Sequence, residues 1–262
     1  MKCKICDSES SYIFSGRILK KYDVCYYRCI NCDFIQTDEP YWLEESYASA
    51  ISDLDLGPVN RAVTGARIVE SIILTGFDPN ASFIDWGGGY GIFTRLMRDS
   101  GYDFWWKDLY CENLFAKKFC AEDSIKYQLM TSFEVFEHLV NPIKEIKSMR
   151  QFTSNILFTT LIPQFDMRAI EDCWYFTPEH GQHIAIYSVK SLKYIAEMFD
   201  LHLSTDGQSL HLLSKKQFPQ RLFRAIARDR RAAQLIRRIG RRRLRRSSLL
   251  MDDFRSVTGW SV

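Results

Sequence analysis

No run of apolar residues in this chain approaches the roughly 18 needed to cross a bilayer. The start, Met1-Lys2-Cys3-Lys4, lacks the apolar stretch of a secretory signal. No internal repeat recurs along the sequence, which excludes an array of repeated units. These absences predict a cytoplasmic chain without a membrane span, where thiols stay reduced. The 8 cysteines are therefore read as metal ligands or packing residues rather than disulfides. Disorder is excluded by what is present: 46% hydrophobic and 14% aromatic residues in a chain of 262 are enough for a substantial core.

Charge is distributed unevenly. From Lys215 onward 15 Lys/Arg face 3 Asp/Glu, a net of +12, which leaves −9 on residues 1–214 of a chain whose total is +3. An acidic body and a basic tail predict an anionic partner for the tail. In that tail Leu222, Phe223, Ile226, Leu235, Ile236 and Ile239 form a broken helical stripe among arginines. Three readings fit Arg221 to Arg246: an amphipathic helix on an anionic membrane surface, a nucleic-acid arm, or a solvated helix that contacts a partner protein. The first gives a cytoplasmic protein with a peripheral membrane contact; nucleic acid is the less favoured partner.

Two Cys-x-x-Cys pairs, Cys3/Cys6 and Cys29/Cys32, are joined by an alternating stretch rich in Tyr and Val. A two-residue gap lets both sulfurs of a pair reach one ion, and four thiolates complete the tetrahedral set that zinc prefers. Because protein fills all four positions, the expected role is structural. Cys25, Cys111, Cys120 and Cys173 have no such spacing and are expected in the core.

From about Val59 to Ser214 strand-like and helix-like runs alternate, which predicts an α/β fold with a mostly parallel sheet. The expected order is helix Val59–Leu74, strand Ser82–Trp86, helix Ile92–Asp99, strand Tyr102–Lys107, helix Glu112–Lys118 and strand Tyr127–Thr131. Helix Pro142–Gln151, strand Asn155–Leu161 and helix Ser188–Phe199 follow. Leu201–Thr205 and Ser209–Leu213 suit an antiparallel edge hairpin, and a strand between Phe119 and Lys126 is abbreviated. The domain boundaries are 1–40 for the zinc ribbon, 41–58 for a linker, 59–214 for the α/β domain and 215–262 for the basic helical tail.

Gly87, Gly88, Gly89 and Gly91 follow the Ser82–Trp86 strand. Glycines at a strand-to-helix turn let the backbone approach a ligand, and the helix start offers free N–H groups. The dinucleotide fingerprint asks for glycine five positions after its first; Ile92 stands there, which weakens a nicotinamide reading. Asp108 lies where an acidic residue is expected to hold ribose hydroxyls.

The pattern Asp85-x-Gly87-x-Gly89-x-Gly91, then Asp108, then Phe133-Glu134-Val135-Phe136-Glu137-His138-Leu139 with Asn141-Pro142, resembles the class I S-adenosylmethionine-dependent methyltransferases. The likeness covers about Val59 to Ser214 and implies a Rossmann-like fold. It also implies that Asp85 and the glycines line the methionine part of S-adenosyl-L-methionine and that Asp108 holds its ribose. Phe133 and Glu134 are then expected beside the cofactor. The cysteine segment, with Tyr26-Tyr27-Arg28, resembles the ribbon of sugar C-methyltransferases acting on nucleotide-linked sugars. Glu134, Glu137 and His138 resemble the cluster that holds Mg2+ in certain quinone and RNA-end methyltransferases.

Methyl transfer asks the protein to align donor and acceptor and, for a hydroxyl or carbon acid, to supply a base. His138 is the first candidate for that base, with Glu137 beside it. A second region is the loop Glu171 to His183, at the carboxyl edge of the sheet, where Trp174 and Tyr175 suit stacking and His180 or His183 is an alternative base. Methylation of a sugar or glycan precursor, at oxygen or carbon, is the leading expectation. An RNA methyltransferase using the basic tail and a non-catalytic zinc-ribbon interaction protein are the alternatives.

Overall fold

The computed structural model describes residues 1–47, 56–164, 170 and 173–260. Two sheets organise them. The smaller contains β1 (Ser10–Ile18), β2 (Tyr22–Cys29), β3 (Ile35–Thr37) and β8 (Ala185–Ile186), in the order β1-β2-β3-β8. The larger contains β4 (Ser82–Trp86), β5 (Asp103–Lys107), β6 (Leu129–Ser132), β7 (Ile156–Thr159), β9 (His202–Thr205) and β10 (Leu210–Ser214), in the order β5-β4-β6-β7-β10-β9. Strand β4 is parallel to β5 and to β6, and β9 pairs antiparallel with β10 at the edge. The fold is therefore α/β with a mostly parallel sheet and an antiparallel edge hairpin.

The chain divides into two compact units. The first is formed by Met1–Leu54, Phe133–Gln151 and Phe158–Gln217. Its β1 and β2 pair antiparallel along their length, as the alternating Tyr/Val stretch predicts. Alternation along β2 buries Val24 and Tyr26 on one face and leaves Cys25 half-buried on the other. Phe14 and Tyr26 stack with ring centroids 4.5 Å apart, and Phe176 meets both edge-on. Strand β8, downstream of the Trp174 loop, pairs with β3. Helices α1 (Leu43–Ser46), α4 (Pro142–Met149) and α5 (Val189–Met198) belong to this unit; α5 starts at a capping box, in which Ser188 accepts from Ser191 and Ser191 accepts in return.

The second unit is formed by Asp55–Ser132, Phe152–Leu157 and Phe218–Val262. Helix α2 (Pro58–Gly76) and helix α3 (Ile92–Asp99) belong to it. The basic segment folds as α6 (Gln220–Arg228), α7 (Arg230–Leu244) and α8 (Leu250–Thr258). The apolar stripe expected there divides: Phe223 and Ile226 of α6 are buried, whereas Leu235 and Ile239 of α7 are exposed. Gly240 lets α7 approach α2 closely, since a Cβ there would sit 2.7 Å from Leu74. Glu70 of α2 is buried and is clasped by Arg241 at 2.5 and 2.8 Å and Arg237 at 3.2 Å.

Several expectations need correction. Residues 112–118 form no helix. The Asn113 side chain instead accepts from the Ala116 N–H and donates to the Ala116 carbonyl, while the Leu114 and Phe115 N–H groups turn to the Tyr90 carbonyl. Side-chain competition of this kind takes the backbone groups a helix would need. The abbreviated strand after Phe119 is reduced to a single parallel bridge between Trp106 and Cys120. None of the four unpaired cysteines is fully buried: Cys25, Cys111 and Cys173 are half-buried and Cys120, at that bridge, is exposed. Of the 41–58 linker, residues 48–55 lie outside the described residues. So do Glu171 and Asp172 of the aromatic loop.

Candidate active site

In the second unit the glycine turn leaves β4 and enters α3. Gly87, Gly89 and Gly91 have φ of 72°, 52° and 85°, the left-handed region that favours glycine. At Gly88 a Cβ would meet Trp106 at 2.6 Å and Asp85 at 2.8 Å; at Gly89 it would meet nothing within 4 Å. The turn is thus packed hard from beneath at Gly88 and open at Gly89. Gly89 donates its N–H to Asp108 at 2.9 Å, and Asp108 also accepts from the Tyr110 and Cys111 N–H groups at 2.8 and 3.0 Å. Three backbone donors fix this carboxylate against the turn.

Asp85 is the last residue but one of the strand beneath, β4. It is buried and accepts from the hydroxyls of Thr131 at 2.9 Å and Thr94 at 3.2 Å. Burial pushes its carboxyl up to about 7, against the pull of those two hydroxyls and with a small contribution from Asp108. Asp85, Gly87, Gly88, Gly89, Gly91 and Asp108 are thus brought into one turn. Thr94 and Thr131 complete it; sequence reasoning passed over both, although their hydroxyls are the donors that satisfy Asp85.

The first unit holds a different cluster. After β6 the chain passes Phe133 and reaches Glu134, whose φ of 54° is left-handed. This exposed residue is locked to Thr159: its N–H donates to the Thr159 hydroxyl at 3.0 Å, and that hydroxyl donates back to its carboxylate at 2.7 Å. Phe136–His138 then form a short 3₁₀ turn. Glu137 is fully buried, and neither of its oxygens has a hydrogen bond of full geometry, the Thr160 and Tyr175 hydroxyls being the donors at hand. Burial raises its pKa, the Glu134 charge adds to the shift, and the nearby Thr160 and Tyr175 hydroxyls oppose it.

One ligand atom each from Glu137, His138 and His183 lies within 4.8 Å of the others. His183 binds the Tyr175 carbonyl through Nδ1 at 2.6 Å, which directs its Nε2 lone pair elsewhere. The His138 and His183 ring centroids are 5.2 Å apart. Burial lowers both imidazoles, His138 to about 3 and His183 to about 4, and neighbouring histidines add to the effect. At neutral pH both are uncharged, with lone pairs that can accept a hydrogen bond or bind a cation. The structure thus joins His183 to Glu137 and His138, where the sequence placed Glu134. His180 stands outside this triad. Tyr175 and Thr160, joined to each other at 3.3 Å, are further site residues; the sequence reading gave Tyr175 only a stacking role and passed over Thr160.

The four ribbon cysteines also converge. The Cys3 and Cys32 sulfurs are 3.6 Å apart and those of Cys6 and Cys29 are 3.4 Å apart. Sulfurs about 2.3 Å from a tetrahedral zinc stand roughly 3.8 Å from one another, so the set is close to a zinc site. Backbone N–H groups of Ile5, Asn31 and Cys32 point at sulfur, which stabilises thiolates. The donor set and its geometry fit a structural zinc ion.

Residues 63–205 match the protein family described as "Methyltransferase domain". No curated protein matches the sequence. Among solved structures, the chain is similar to magnesium protoporphyrin IX methyltransferase from Synechocystis PCC 6803 at 10% identity and a TM-score of 0.46, covering 66% of this chain and 92% of that one. It is similar to a plantazolicin methyltransferase at 14% identity and a TM-score of 0.46, covering 68% and 98%. A mitomycin 7-O-methyltransferase gives 10% identity and a TM-score of 0.45, covering 60% and 54%.

Proposed function

Since the chain belongs to the methyltransferase domain family, we propose that it transfers the methyl group of S-adenosylmethionine and that its acceptor is a sugar or glycan precursor, methylated at a hydroxyl or an adjacent carbon. The reading rests chiefly on Glu137: a buried carboxylate without a hydrogen bond of full geometry, beside two neutral imidazoles. A buried acid left this way calls for a proton, a ligand hydroxyl or a cation.

S-Adenosylmethionine supplies a methyl group already activated on sulfonium; the protein's part is to hold it and prepare the acceptor. Asp108 and the Gly89 N–H are our candidates for the cofactor's polar groups, with Asp85 setting the charge of the turn beneath. Phe133 and Glu134 complete the assignment. Glu137 is our candidate for the group that takes the acceptor's proton, because its raised pKa lies nearer neutrality than that of His138. His138 and His183, uncharged, accept hydrogen bonds from acceptor hydroxyls and orient them. One carboxylate and two imidazoles also fit a divalent cation, which would add Lewis acidity at an acceptor oxygen. Two imidazoles favour the manganese-to-zinc range over the Mg2+ that the sequence suggested.

Two features support the sugar acceptor. Trp174 exposes its ring beside Tyr175, on the segment that also carries His183, and a flat exposed ring suits stacking on a sugar. The convergence of Cys3, Cys6, Cys29 and Cys32 is compatible with a zinc ribbon, and it is the resemblance of that segment to the ribbon of nucleotide-sugar methyltransferases that points to nucleotide-linked sugars. An RNA acceptor is the second reading, favoured by the exposed arginines of α7. Its support is reduced because Arg237, Arg241 and Arg246 bind Glu70, Gly101 and Pro79 within the unit.

The test is transfer of labelled methyl from S-adenosylmethionine to a panel of nucleotide-linked sugars and to RNA, with wild type and Glu137→Gln. Labelling of a sugar that Glu137→Gln loses supports the assignment. Labelling of RNA alone, or full activity in Glu137→Gln, overturns it.

A further inference from the structure

Helix α8 is amphipathic in the reverse of the usual sense. Its inward contact is ionic: buried Asp253 receives Arg98 at 2.7 and 2.9 Å and Arg95 at 2.8 Å, and the Leu249 N–H caps the Arg98 carbonyl. Its outward positions Leu250, Phe254 and Val257, at i, i+4 and i+7, are exposed, and Trp260 beyond it is 69% exposed. A surface helix ordinarily turns such a stripe inward.

On α7 the pattern differs but completes it. The inward side uses Arg237 and Arg241 to neutralise Glu70. The outward side sets Leu235 and Ile239, 58% and 49% exposed, among Arg231, Arg238, Arg242 and Arg243. Among the described residues the guanidinium of none of these four arginines, nor of Arg230 or Arg245, pairs with a carboxylate; only the Arg231 backbone N–H does so, capping on Asp229. Outward cations are thus interleaved with outward aliphatics.

We propose that the outward faces of α7 and α8 dock on an anionic phospholipid bilayer, lying in the plane of its interface. Arginines supply attraction to lipid phosphates, and Leu235, Ile239, Phe254, Val257 and Trp260 supply the apolar insertion that phosphate binding alone does not need. Nucleic acid would use the cations but has no use for exposed Leu, Ile and Val. A second copy of the chain would bring like charge against like. The arginines that hold the fold and those that face outward are different residues, so the surface is separable from stability.

The experiment is sedimentation of the full, zinc-loaded protein with vesicles of equal parts phosphatidylcholine and phosphatidylglycerol, and with phosphatidylcholine alone. Preference for the anionic vesicles is expected. Arg238→Gln/Arg242→Gln/Arg243→Gln lowers the partition on the order of a hundredfold. Phe254→Ser/Val257→Ser, which leaves every charge in place, lowers it at least about tenfold. Thermal melting of both variants at the wild-type temperature shows that the fold is intact; a variant that melts early is replaced by Trp260→Ser, where the same loss is expected. Equal binding to both vesicles, undiminished binding by the apolar variant, or tighter retention on RNA than on anionic vesicles overturns the proposal.

Discussion

Replacing Asp85 by Asn tests the reading of the cofactor turn through stability before any ligand is added. Burial raises the Asp85 carboxyl from its usual value of 3.8 to about 7. A carboxyl with a raised folded pKa costs the fold nothing while both states are protonated, below about pH 4. As pH climbs toward 7 the unfolded chain releases the proton and the folded chain keeps it, so the wild type loses stability across that window. Above the folded pKa the loss is complete, and at about 1.36 kcal/mol per pKa unit it amounts to about 4 kcal/mol.

The amide keeps the shape and carries no charge. Thr94 and Thr131 donate to Asp85 in the wild type, and a hydroxyl that rotates can accept from the amide instead. Urea unfolding of the two proteins, from about pH 4 to about pH 8.5, is therefore expected to give curves that coincide in acid and separate through pH 4–7, with Asp85→Asn the more stable above. Affinity for cationic S-adenosylmethionine rises with pH in the wild type and stays flat in the variant. A stability gap independent of pH, or a wild type that is the more stable at high pH, would refute the assignment of a buried, largely protonated acid.

Three other outcomes follow from separate parts of the chain. Glu137→Gln removes a buried acid that lacks a hydrogen bond of full geometry and is expected to abolish transfer while leaving affinity for S-adenosylmethionine unchanged, as read by product formation beside calorimetry. Cys29→Ser opens the four-sulfur set, so zinc content falls from one ion per chain to none, and protease susceptibility rises in 1–40 while 59–132 stays protected, as peptide mapping will report. Asp253→Ala leaves the buried Arg98 guanidinium with Asp103 as its remaining carboxylate and costs about 3 kcal/mol, visible as a lower melting temperature.

Much of this was legible in the sequence where local chemistry and tertiary fate agree. Strand β4 and helix α3 fall where the apolar pattern and the glycines put them, because that turn is dictated by backbone freedom at Gly87, Gly89 and Gly91. The ribbon was legible for a similar reason, as metal spacing is a local constraint. The failures lie where side chains overrule the pattern or where distant segments meet. Asn113 diverts the backbone of 112–118, and nothing in the apolar period signals it. His183 reaches Glu137 and His138 through a loop, while Glu134, three residues before Glu137, is itself left-handed and turns onto Thr159. Strand β8 is two residues long and carries no period. The basic segment read as helical, but which arginines serve Glu70 and which face outward depends on how α7 lies against α2.

Calorimetric titration of the zinc-loaded protein with S-adenosylmethionine and its demethylated product, beside Asp108→Ala, reads the cofactor site itself. One site per chain is expected for both ligands, with affinity at least about tenfold weaker in a folded Asp108→Ala, on the scale of a lost charge-assisted hydrogen bond. Equal affinity in wild type and variant, or no binding by the folded wild type, would contradict the cofactor assignment.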